Sequence, residues 1–110
     1  MIRAGLVLTV FLAPAVAQAL PKSMTYRCER GVEIPATYAE TPDGSLAVIT
    51  VEGRQIALIQ GLSASGVRYT WPSDGSHYVW WTKGRTARLI WSDGATGEEV
   101  TLYAHCEERP

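Results

Sequence analysis

Lys83 closes the stretch Tyr78-Val79-Trp80-Trp81-Thr82-Lys83, and Gly84-Arg85 follow it. A hairpin with only folding to serve closes on Asn-Gly or Asp-Gly. A lysine there instead sets an ammonium, a compact charge with three donors, at the tip of a tight turn. Earlier in the chain, Ser65 lies in Leu62-Ser63-Ala64-Ser65-Gly66, a hydroxyl on a short glycine-bounded loop. A hydroxyl and an ammonium on two protruding loops suit a cleft lined with acceptors, carboxylates above all. Enzyme readings fit less well. Ser65, His77 and Asp74 hold the atoms of a triad, but Ser65 has no nucleophile-elbow context. His105 beside Cys106 invites a metal reading, yet two histidines and two cysteines better spent on a bridge make no ligand set. The expectation is a binder, with no catalytic residue, no metal and no cofactor.

The elements that must carry these groups are strands. Short runs rich in Val, Ile, Thr, Tyr and Trp alternate with turn chemistry at regular intervals, the pattern of an all-β barrel or sandwich. The spacing predicts strands over 23–29, 33–39, 45–51, 54–60, 67–71, 77–82, 86–91 and 99–106. The breaks fall at Pro42-Asp43-Gly44, Glu52-Gly53, 61–66, 72–75, Lys83-Gly84 and 92–97, where glycine permits tight turns. Eight strands with short connections give an antiparallel up-and-down meander, and closure into a small β-barrel removes its edges. Each strand in a meander reverses direction. The loop entering strand five (61–66) and the turn leaving strand six (83–85) therefore emerge at one end, with His77 and Asp74 at the other.

The first nineteen residues read as a secretory signal peptide: Arg3, an apolar run, then Ala17-Gln18-Ala19. The apolar run is short for a membrane span. Leu20 rather than cysteine follows the expected cleavage point, so no lipid anchor is expected and the periplasm is the expected compartment. Residues 20–110 then form one small domain. Losing Arg3 leaves nine Lys and Arg against eleven Asp and Glu, a net charge of about −2. That argues against nucleic acid as a partner and mildly favours a cationic one. Cys28 and Cys106, near the two ends of the domain, are expected to pair in an oxidising compartment. Closing so long a loop is worth roughly 4 to 5 kcal/mol in the chain-entropy account.

Two motifs in this chain resemble a known family, the inhibitors of C-type lysozyme found in bacterial envelopes in membrane-bound and periplasmic forms. One is Ser-Gly-x-x-Tyr, here Ser65, Gly66 and Tyr69. The other is Tyr-x-x-Trp-x-Lys-Gly-x-x-x-x-Leu, here Tyr78, Trp81, Lys83, Gly84 and Leu89 with every spacing kept. Tyr26, Cys28 and Cys106 match the family framework. The resemblance implies a small antiparallel β-barrel, C-type lysozyme as protein partner, and entry of Ser65 and Lys83 into the lysozyme active-site cleft. It also implies that Gly66, Tyr69, Tyr78, Trp81 and Gly84 belong to the inhibitory region. Tyr69, Trp80 and Arg85 are expected to supply packed surface around the two polar groups.

One departure is the connector 70–77, longer than the family pattern, which the meander sends to the end away from Lys83. Alternation puts Trp80 and Trp81 on opposite faces and leaves open which is core. Arg68, Arg85 and Arg88 also fit a solvated basic strip. The competing reading is a barrel that binds glycan or cell-wall fragments through exposed aromatics. Monomer and homodimer are both compatible with the sequence.

Overall fold

The computed structural model describes residues 4–10, 20–71 and 73–110. Eight strands form one closed antiparallel barrel in chain order: β1 Lys22–Arg27, β2 Glu33–Thr41, β3 Gly44–Val51, β4 Arg54–Gln60, β5 Val67–Thr70, β6 His77–Lys83, β7 Thr86–Ser92 and β8 Glu99–Glu108. The expected meander and its strand order are what is observed. Residues 4–10 carry no regular structure and are exposed, while 1–3 and 11–19 of the expected signal segment lie outside the described residues. Among the described residues no helix is long and apolar enough to cross a membrane.

Most strands begin or end one or two residues from expectation, and one difference changes the path of the chain. β1 ends at Arg27, and a single 3-10 turn, Glu29–Gly31, follows. The turn reverses the chain through Arg30 and Gly31, both at positive φ, and Arg30 is a residue type that does not announce such a turn.

The interior is aromatic at its centre. Trp80 is fully buried and meets Tyr26 edge-on at 5.1 Å between centroids. Such polar-tipped rings are tolerable inside only if their donors find partners. Trp80 Nε1–H donates to the Tyr38 hydroxyl at 2.8 Å, and Tyr38 shares a 2.8 Å hydrogen bond with the Tyr26 hydroxyl. Burial pushes both phenol pKa values up, so both rings stay neutral. Ile34, Ile49, Leu58 and Leu89 fill the space around them.

Closure of the barrel rests on a thin seam. β1 and β8 pair only at Tyr26↔Glu108 and Arg27↔Glu107. Beyond these pairs the Cys28–Cys106 disulfide joins the strands. The Glu29 carboxylate then accepts from the backbone N–H groups of Ala104 and His105, each at 2.9 Å, standing in for a strand partner. At the end of the barrel away from Lys83, the long connector packs on the β7–β8 loop: Gly94 N–H donates to Ser76 Oγ at 3.0 Å. A Cβ on Gly94 would lie 2.4 Å from the Gly75 carbonyl carbon, so the approach requires glycine.

Candidate functional site

The β5–β6 ladder decides where the two candidate groups lie. Val67 pairs with Thr82, and Lys83 pairs with Thr86 across the next hairpin. Ser65 and Gly66 therefore run directly into a strand whose partner runs directly into Lys83. The backbones touch: Gly66, at φ +65°, lies so close to the Thr82 carbonyl oxygen that a Cβ would sit 2.3 Å from it. Trp81 Nε1–H donates to the Ser65 carbonyl at 2.9 Å. The Ser63 hydroxyl donates to the same carbonyl. Two loops from different parts of the chain are thus joined at one rim.

What remains free is the chemistry. Among the described residues, the Ser65 hydroxyl makes no hydrogen bond and Lys83 has no carboxylate within ion-pairing distance. The neighbouring arginines are committed otherwise. Arg85 pairs with Glu108 at 3.5 Å, Arg68 pairs with Glu99, and Arg88 lies 5.8 Å from the Trp81 ring centroid. Ser65 and Lys83 line one cavity of about 250 Å³, walled also by Trp81, Thr86, Arg88 and His105. Thr86 and His105 are absent from the sequence motifs. They arrive because β8 lies beside β7, and a bulge there sets Ala104 and His105 opposite the single residue Arg88.

The other motif residues divide. Gly84 turns the Lys83 hairpin at φ +58° with open space around it. Trp81 is half-buried on the outer wall and Trp80 is the core ring, which answers the question alternation left open. The expectation that Trp80 offers contact surface is corrected, since its indole is 0% exposed. Tyr69 is corrected for the same reason: it points inward, is 5% exposed, and shares a 3.2 Å hydrogen bond with Ser45 Oγ. It shapes the wall behind the loop and offers no face to a partner. Tyr78 stands at the start of β6, some 16 Å along the strand from Lys83, and packs edge-on against Trp91 at 4.9 Å. It braces the opposite mouth rather than the Ser65 rim.

The atoms of a serine triad stay apart. His77 opens β6 at the far end, with Nε2 against Thr70 Oγ1 at 3.0 Å and Nδ1 against the Gly75 carbonyl at 2.8 Å.

Known proteins share both the pattern and the barrel. The family model described as membrane-bound lysozyme-inhibitor of c-type lysozyme matches residues 26–104. Two relatives named "Membrane-bound lysozyme inhibitor of C-type lysozyme" are similar over most of their length. The Cupriavidus necator protein is 32% identical over 90 residues, 81% of this chain and 67% of the relative. The Pseudomonas aeruginosa protein is 35% identical over 97 residues, 87% of this chain and 72% of the relative. The crystal structure of Pseudomonas aeruginosa MliC in complex with hen egg white lysozyme superposes with a TM-score of 0.63 at 28% identity, covering 96% of this chain and all of that one. With the family pattern matched from Tyr26 in β1 to Ala104 in β8 on a barrel of the same form, the chain belongs to the family of membrane-bound lysozyme inhibitors of C-type lysozyme.

Proposed function

We propose that this chain inhibits C-type lysozyme by inserting the Ser65 hydroxyl and the Lys83 ammonium into the enzyme's active-site cleft. The observation that carries the reading is their adjacency: two loops joined through Trp81 and Gly66, each bearing a polar group with no partner of its own among the described residues. Hydrolysis of the wall polysaccharide needs one protonated carboxylic acid and one ionised carboxylate. An ammonium beside them favours ionisation of the acid and occupies the sugar's place. Such charge-assisted hydrogen bonds are worth about 1.5 to 3 kcal/mol each. Nanomolar binding requires about 12 kcal/mol, so apolar surface must contribute, and Leu62, 99% exposed on the Ser65 loop, is suited to that.

In this reading residues 1–19 direct export and are removed, and residues 20–110 act in the periplasm without a lipid anchor, protecting the wall from lysozyme. The test adds the purified domain to a C-type lysozyme clearing a suspension of bacterial walls. Wild type suppresses clearing, while Lys83→Ala and Ser65→Ala, both folded, suppress it at least tenfold less well. Undiminished inhibition by Lys83→Ala would refute the role given to the lysine. A glycan-reading barrel would instead depend on Trp71, 45% exposed at the far end. Trp71→Ala should leave inhibition intact.

A further inference from the structure

The hydroxyl of Ser65 is useful to an inhibitor only if the loop carrying it is held still, and besides Ser63 of the loop itself what holds it is the neighbouring strand. The Ser65 carbonyl accepts from Trp81 Nε1–H at 2.9 Å. Trp81 itself stands on the outer wall between two guanidiniums, Arg68 at 5.4 Å and Arg88 at 5.8 Å from the ring centroid. Both arginines are its register partners, one on each neighbouring strand, so the indole is gripped from both sides.

Arg68 is anchored in turn by Glu99 of β8. To meet, their side chains cross β6 and β7 on the outer face. Val79 and Ile90, cross-strand partners on those two strands, alternate with the inward Trp80 and Leu89 and so point away from the interior, yet they are 0% and 4% exposed. Arg68, held between Glu99 and the Trp81 ring, limits how far the indole can turn.

We propose that Trp81 is a positioning residue that acts on a partner through Ser65 and not by contact, and that Arg68 and Glu99 set its orientation. The proposal rests on the inhibitory reading of Ser65 given above. Its physical consequence is a penalty on affinity: a loop freed from Trp81 samples other conformations, and apparent affinity falls by the fraction of time the loop is competent.

Trp81→Phe keeps a smaller aromatic face for the two guanidiniums and deletes the N–H donor. Glu99→Gln releases Arg68. In the free protein, backbone order parameters of Ser65 and Gly66 should fall in both variants from about 0.85, typical of rigid backbone, to below about 0.6. Inhibition of a C-type lysozyme should weaken roughly tenfold in Trp81→Phe, and that loss should vanish when Trp81→Phe is made on top of Leu62→Ala and Ser65→Ala together, which remove both contact groups of the loop. Additive losses in that combined variant would mean that Trp81 meets the partner directly, and unchanged order parameters would mean that it does not hold the loop. Either result overturns the proposal. A wild-type protein that leaves lysozyme unhindered removes the inhibitory reading instead, and the order parameters still decide whether Trp81 positions the loop.

Discussion

Two glycines at the rim look alike in sequence and are not equivalent. Both Gly66 and Gly84 adopt positive φ, which a Cβ disfavours by about 1 to 2 kcal/mol. Gly84 has open space where its Cβ would go, whereas Gly66 abuts the Thr82 carbonyl. Gly84→Ala should therefore cost about 1 kcal/mol, measured by chemical denaturation. Gly66→Ala should cost more, about 2 to 3 kcal/mol, and should also displace the Ser65 loop and weaken inhibition. Equal costs would show that the close approach to Thr82 has no energetic consequence. The pairing of Ser65 with Lys83 was legible in the sequence because motif and strand reversal point the same way. The inward turn of Tyr69 and Trp80 was not. Alternation assigns two faces without saying which is the interior, and only the network around Tyr38 decides it.

Among the elements, the turn Glu29–Gly31 is the one the sequence pattern passed over, and it does work that a strand would otherwise do. Backbone N–H groups of His105 and Ala104 hold the Glu29 carboxyl below its ordinary pKa. A carboxylate with a depressed folded pKa stabilises the fold above its unfolded pKa, and that contribution is lost as pH falls through the folded value. The melting temperature of Glu29→Gln should therefore lie below wild type at pH 7, and the gap should close as the pH drops below about 4. A gap constant down to pH 2 would rule out the charged form as the stabilising species. The position of Trp81 against Arg88 was available by counting back from the hairpin, since Lys83↔Thr86 puts Trp81 opposite Arg88. The crossing of Arg68 to Glu99 was not, because it depends on how the barrel coils.

At the scale of the molecule, closure combines two residue pairs, a backbone hydrogen bond from Arg109 N–H to the Thr25 carbonyl, one carboxylate and one disulfide spanning 78 residues. Replacing both cysteines by serine should cost about 2 to 5 kcal/mol, seen as a lower denaturation midpoint that no longer responds to reductant. Eight strands and their order could be read from turn spacing, and the cysteines agreed with closure, although Cys28 lies one residue past the end of β1 and only Cys106 is within a strand. The thinness of the seam could not be read, because it reflects where pairing stops. β4 and β5 are joined just as thinly, by Ile59↔Thr70 and Gln60↔Tyr69. The barrel is therefore two four-stranded leaves, β1–β4 and β5–β8, stitched along two lines of which one is covalently sewn. Ser65 lies on the connector that spans the unsewn line, but its carbonyl is held by Trp81 of β6 and Gly66 abuts Thr82, so hydroxyl and ammonium are tied to the same leaf. The working pair travels together on one leaf.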